Sequence, residues 1–299
     1  MKKLVHSKPK ILIKCNASLA EGPIWNHETK ELTFVDILGK SIFVYKNKKN
    51  IKKFKSNKIV SSFLPKKRGE WIACSKNKIY QVKIINKKLF FKKINTIKQK
   101  KNNRLNDAAI DKFGRLWVSS MDEKEISNSG HLIFFKDINS PTILFKNFII
   151  GNGIDWSPSE KIIYFSVSDK RKIYKFGYQK KTGKISKKKV FATIPFNKGK
   201  PDGISIDREG YLWVACWDGG CVIRFNVFGK IDKIIKMPIS RPTSVCFGGK
   251  NLNTLYVTSA KKIDKLNKIE KNSGNIFYVK TNIKGIKTNF FKQNYLINR

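Results

Sequence analysis

Pro201-Asp202-Gly203-Ile204-Ser205-Ile206-Asp207-Arg208-Glu209-Gly210-Tyr211-Leu212-Trp213-Val214-Ala215-Cys216-Trp217-Asp218-Gly219-Gly220 is the stretch from which the fold is read. A carboxylate, Asp202, heads a short apolar strand at Ile204-Ser205-Ile206. Asp207 to Gly210 then carry turn chemistry, with Gly210 suited to a positive φ. A second strand, rich in aromatic and branched residues, follows from Tyr211 to Cys216 and ends at a Gly-Gly turn.

The same unit recurs along the chain. It opens at Glu21-Gly22-Pro23-Ile24-Trp25, at Val60 to Leu64, at Arg104-Leu105-Asn106-Asp107, at Asn152-Gly153-Ile154-Asp155-Trp156, at Asp202, and at Pro242-Thr243-Ser244. Each opening is followed by a turn and an aromatic strand, such as Leu116-Trp117-Val118-Ser119 or Leu255-Tyr256-Val257-Thr258. Six units at a spacing of roughly 40–50 residues, each with three or four short strands, predict an all-β fold. Its architecture is a six-bladed β-propeller of four-stranded antiparallel blades. No long helical period interrupts them, and a two-sheet sandwich would not explain the sixfold recurrence. One domain over residues 1–299 is expected, with its core at about residues 15–285. Lysine-rich stretches at 47–55, 98–103, 180–189 and 261–271 are expected to lie between strands, as solvated outer hairpins or loops.

A hydrophobic content of 40% supports a packed core and excludes disorder. The net charge of +42 points towards anionic partners. Its carriers, however, are almost all lysines scattered among isoleucine and asparagine, without an arginine-rich nucleic-acid motif. Weak, salt-sensitive polyanion binding is expected, and no specific nucleic-acid partner. The five cysteines, an odd number without C-x-x-C spacing, predict reduced thiols in a reducing compartment. No apolar run approaches a membrane span, the N-terminus lacks an apolar signal core, and a cytoplasmic location is expected.

In a propeller the first strand of each blade lines the central channel, so the unit heads converge on one axis. The heads are Glu21, Ser61 or Ser62, Asn106, Asn152, Asp202 and Thr243. Two carboxylates and two carboxamides at one channel mouth suit one hard divalent cation: Ca²⁺, Mg²⁺, Mn²⁺ or Zn²⁺. Glu21 and Asp202 would balance its charge and Asn152 would add a neutral oxygen, since buried carboxylates without partners are costly. Asp36, Asp111 and Asp207 sit in turns or at strand ends and are predicted to be structural. His6, His27 and His131 lie outside the heads, which argues against a histidine triad or a His-rich zinc site.

These heads, with Gly114-Arg115-Leu116-Trp117, Trp156-Ser157-Pro158 and Trp217-Asp218-Gly219-Gly220, resemble the SMP-30/gluconolactonase/regucalcin-like family over residues 19 to 280. The resemblance implies a metal on Glu21, Asn152 and Asp202, substrate binding by Arg104 and Asn106, and hydrolysis of a small-molecule sugar lactone to the aldonic acid. Asp202, both ligand and neighbour of the attacking water, is the expected general base. An acidic substrate contact of the family falls near Lys124, between Glu123 and Glu125, and Glu123 is the residue expected there. The family's Asp-Ser after the fourth aromatic strand is replaced by Val167-Ser168, with Asp169 displaced. A non-catalytic Ca²⁺- or polyanion-binding propeller, or a hydrolase of another ester at the same metal, are the alternatives.

Overall fold

The structure is a computed structural model that describes residues 3–292. Among these residues, six four-stranded antiparallel sheets are arranged as the six blades of a propeller. In five of them the strands follow chain order from the axis outwards, beginning with β2 (Ala20–Asn26), β6 (Val60–Lys66), β10 (Asn103–Ile110), β14 (Gly151–Trp156) and β18 (Lys200–Ile206). The sixth blade is built from both ends of the chain. Its inner strand is β22 (Pro242–Gly248), and its outermost is β1 (Lys10–Ile13), paired antiparallel with β24 (Ile276–Lys280). The core therefore begins earlier than residue 15. Ile13 is buried, and so is Phe291 beyond residue 285.

The aromatic second strands pack the blades against one another. Trp117 meets Trp156 of the next blade edge-on at 5.7 Å, and Trp213 meets Phe247 in the same manner at 5.4 Å. Each such fully buried side chain contributes about 1.5–3 kcal/mol from area removal alone. The inter-blade signature visible in the sequence is thus the core itself.

The lysine-rich stretches depart in part from expectation. Two of them are strands: β5 (Asn50–Lys55) and much of β17 (Lys184–Thr193) are the outer edges of their blades. An outermost strand has solvent along its free edge, so lysines extend into water while the backbone still pairs inwards, and their charge blunts the edge. The stretches at 98–103 and 261–271 do lie almost wholly outside strands.

The three turn aspartates are structural, as expected. Asp207 Oδ2 accepts from Trp213 Nε1 at 2.9 Å and from the buried Arg224, while Oδ1 accepts the Glu209 and Tyr211 amides. Asp111 repeats the arrangement with Trp117, Arg115 and Tyr178. Asp36 caps the amides of Ser18, Leu19 and Gly39.

Residues 283–292 run across the end of the channel away from the unit heads. Lys284 O accepts the Arg208 amide, Thr288 Oγ1 donates to Trp25 O, Asn289 Nδ2 donates to Ile110 O, and the Phe291 amide donates to Pro65 O. This strap ties four blades together. It also lines one side of a cavity of about 590 Å³ in the lower channel, bordered by the apolar flanks of the inner strands and by Asp107 and Asp155.

Candidate functional site

Every inner strand carries a register irregularity at its head. The breaks fall at Glu21/Ile24, Val60/Ser62, Leu105/Ala108, Gly151/Ile154, Pro201/Ile204 and Pro242/Val245. A bulge leaves residues unpaired and re-aims them, so the chain can present consecutive side chains to the axis where a regular strand would present alternate ones. Behind Asn152 and Asp202 the second residue is glycine, for a steric reason. A Cβ at Gly153 would stand 2.5 Å from the Ile204 amide, and one at Gly203 would stand 2.0 Å from Ser244 Oγ.

The bulged heads are stitched blade to blade. Ser62 Oγ donates to Asn106 O at 2.6 Å, Asn106 Nδ2 donates to Gly151 O at 2.9 Å, Ser168 Oγ donates to Pro201 O at 2.6 Å, and Thr243 Oγ1 donates to Ala20 O at 2.6 Å. The hydroxyls at Ser62 and Thr243 are thereby engaged in holding the ring. Ser61 Oγ donates to Cys74 O within its own blade. Asp169, displaced relative to the family pattern, accepts the Ile149 and Ile150 amides and fixes the approach to Asn152.

Three of the predicted residues form one network. Arg104 NH1 donates to Asn106 Oδ1 at 2.6 Å, and Asn106 Nδ2 donates to Asn152 Oδ1 at 2.9 Å. Asn152 Nδ2 donates in turn to Ser168 Oγ at 2.9 Å. Asn152 therefore aims its carbonyl oxygen inwards with one of its two lone pairs in use. Both amide hydrogens of Asn106 are spent on Gly151 and Asn152, so its remaining capacity is as an acceptor at Oδ1. Its geometry is that of a residue orienting Arg104 and Asn152.

Glu21 and Asp202 share an electrostatic field. Burial, then Asp107, lifts the Glu21 carboxyl to about 8, against the opposing pull of the Gly22 amide and Arg104. Burial, then Glu21 and Asp107, pushes Asp202 well above the usual carboxylate range. Arg104 is pulled down by burial and supported by Glu123, Glu21, Asp202 and Glu125, in that order. Glu123 is exposed at the rim and pairs with Lys76 at 3.5 Å. It does not join the buried network, and reaches the site through its field on Arg104.

The residues fit a hard divalent cation. Asp202 is 4% exposed, and its Oδ1 is buried with no hydrogen-bond partner. An orphaned carboxylate oxygen beside a second carboxylate is strongly unfavourable without a cation. Among the described residues, no three His, Cys, Asp or Glu side chains converge closely enough to bind an ion by themselves. Glu21, Asp202 and the neutral oxygen of Asn152 would make an all-oxygen donor set, which suits Ca²⁺ or Mg²⁺ chemistry better than a nitrogen- or sulfur-rich zinc site does.

Two carboxylates of the channel are absent from the predicted set. Asp107 follows Asn106 within its bulge and is raised to about 6, mainly by burial. Asp155 accepts the Ile206 amide at 2.7 Å and is raised to about 7 for the same reason. Both retain some accessible surface and line the lower cavity. The signal was present in the paired types Asn106-Asp107. It is concealed by strand alternation, which assigns neighbouring residues to opposite faces.

Comparison with known proteins follows the same lines. Residues 19–261 match the family model described as the SMP-30/Gluconolactonase/LRE-like region. Regucalcin of Homo sapiens is 33% identical over 269 residues, covering 84% of this chain and 87% of regucalcin. An uncharacterized protein of Sulfolobus acidocaldarius is 33% identical over 272 residues, 90% of this chain and 94% of its own length. Among solved structures, a luciferin-regenerating enzyme superposes with a TM-score of 0.87 at 28% identity, covering 95% of this chain and 99% of that one.

Proposed function

The chain belongs to the SMP-30/gluconolactonase/LRE-like family, and from that membership we propose that it is a metal-dependent lactonase, opening a sugar lactone to the aldonic acid. The observation that carries the proposal is the unpartnered Asp202 Oδ1, buried at the channel mouth beside Glu21 and within the field of Arg104. A structural carboxylate in this fold looks different: Asp207 and Asp111 have both oxygens engaged.

Glu21, Asp202 and Asn152 would hold the cation. A divalent ion bound there supplies Lewis-acid polarisation of the ester and increases the acidity of water. Asp202 Oδ1, a buried carboxylate oxygen with no hydrogen-bond partner, takes the proton of the attacking water as general base. The same atom then returns that proton to the ring oxygen as the lactone C–O bond breaks, which leaves the open hydroxy acid. Arg104 is held by Asn106 with its guanidinium at the site. It binds substrate hydroxyls and steadies the negative charge that develops on the carbonyl oxygen. Asn106 accepts at Oδ1 and keeps Arg104 and Asn152 in register. Glu123, at the rim, tunes Arg104 and lies where an incoming polar substrate passes.

The test is proton release on a panel of aldonolactones. EDTA-stripped protein receives Ca²⁺, Mg²⁺, Mn²⁺ or Zn²⁺, with spontaneous opening as the blank. Metal-dependent turnover that Asp202→Ala loses by about a thousandfold or more supports the proposal, since that variant lacks both ligand and base. Turnover near the wild-type rate in Asp202→Ala, or no lactone opened above the blank while Ca²⁺ still raises the melting temperature, overturns it. The second outcome would favour a non-catalytic Ca²⁺-binding propeller or a different ester substrate.

A further inference from the structure

Two of the free cysteines are cross-strand partners. β19 (Leu212–Trp217) and β20 (Cys221–Phe225) form a hairpin in which Cys216 stands directly opposite Cys221. Opposed residues of an antiparallel pair project to the same face with Cα atoms about 4.5–5.5 Å apart. That separation falls within the range of about 4.4–6.8 Å that a disulfide spans. The Cys216 thiol donates to Val214 O at 3.7 Å, within its own strand. The other three cysteines, on different strands or segments, have no thiol opposite them.

The pair lies next to Asp202. Cys216 is in register with Pro201, the residue immediately before it. The turn above the pair packs tightly: a Cβ on Gly219 would stand 2.9 Å from Cys216 Cβ and 2.0 Å from Lys198 O. Cys221 itself is buried, so the turn above it, where Asp218 is exposed and Gly219 and Gly220 are half-buried, must open to admit a small disulfide.

We propose that Cys216 and Cys221 form a reversible dithiol–disulfide site, oxidised by low-molecular-weight disulfides, whose state is transmitted through Pro201 to Asp202. The transmitted half rests on the reading of Asp202 as a cation ligand. The Cys216 thiol beside it lowers the Cys221 thiol against the effect of burial, and Lys198 assists, so Cys221 is the attacking sulfur. Its thiolate displaces one thiolate from the small disulfide and leaves a mixed disulfide on Cys221. Cys216 then attacks the Cys221 sulfur and releases the second thiolate. Two thiol protons go to the two leaving groups, the cysteines are oxidised by two electrons, and one small disulfide is reduced to two thiols.

The experiment treats native full-length protein with oxidised glutathione, quenches in acid, and measures intact mass and the cysteine peptide map. The expected product has lost two hydrogens, joins Cys216 to Cys221, and reverts with dithiothreitol. Cys216→Ser should arrest as a single glutathione adduct on Cys221, and Cys221→Ser should form neither species. Failure to lose two hydrogens, or a crosslink joining other cysteines, overturns the site. Melting with and without Ca²⁺ tests the transmission: oxidation should at least halve the Ca²⁺-induced rise. An equal rise in both states overturns the transmission and leaves the disulfide standing. No rise even in the reduced protein removes the cation reading of Asp202, and the transmission falls with it.

Discussion

Glu21→Gln should stabilise the metal-free protein at alkaline pH. Burial and the field of Asp107 raise the Glu21 carboxyl from its ordinary 4.5 to about 8. An acid whose folded pKa lies above its unfolded value holds its proton in the native state while the unfolded chain releases it. Stability is therefore full below about pH 4.5 and falls progressively until about pH 8. The interval from 4.5 to about 8, at 1.36 kcal/mol per pH unit, corresponds to a loss on the order of 5 kcal/mol. Glutamine has no charge to lose but still buries an amide, at a cost of about 2 kcal/mol, which leaves a net gain of about 2–3 kcal/mol. For a chain of this size the melting temperature should rise by on the order of 5 °C. The assay is calorimetry on EDTA-stripped wild type and variant at about pH 5 and about pH 8.5. At the lower pH the variant should melt slightly below the wild type, and at the higher pH above it. Added Ca²⁺ should reverse the order, because only the wild type retains both carboxylates. A variant that melts at or below the wild type at both pH values without metal would refute the account of Glu21 as a strained carboxylate waiting for a cation.

Arg104→Lys keeps the charge but loses the planar fork that meets Asn106 Oδ1, so lactone kcat/KM should fall about tenfold or more. The fall should lie in KM if Arg104 only binds substrate, and in kcat if it steadies the transition state. Asp207→Ala, far from the heads, leaves the buried Arg224 and Trp213 Nε1 short of their acceptor and should cost about 3–5 kcal/mol in urea titration, with kcat unchanged. Phe291→Ala should weaken the strap by about 3 kcal/mol. Its signature should be faster exchange of the amides at residues 284–292 while metal affinity is retained.

The blades and most of the candidate site were legible because both depend on local pattern. A turn, an aromatic strand and a polar head recur where Trp117 and Trp213 must pack between blades, and a ring of inner strands makes the heads converge. What escaped was non-local or two-valued. The tetrapeptide Lys-Ile-Leu-Ile at residues 10–13 reads as strand or tail alike, and only pairing with residues more than 260 positions away decides the matter. The clustered lysines of β5 and β17 look like loop, because composition does not reveal that a strand has a solvated edge. Asp107 and Asp155 were concealed by the bulges, which suspend the alternation that sequence reading relies on. Asn106 was placed at the site, but its part as the brace between Arg104 and Asn152 emerges only once its hydrogen bonds are counted.

The sixth blade, sewn from both ends of the chain, has a consequence for how the protein is made. On the ribosome the first five blades emerge with every strand they need, but β1 must wait with its pairing edge open until β24 has been synthesised. Until then the nascent chain is an open arc with two unprotected rims, the kind of surface that a neighbouring nascent chain can join. Ring closure must therefore wait for the end of synthesis, and a message truncated before residue 276 would yield a protein with five intact blades and no means of locking them.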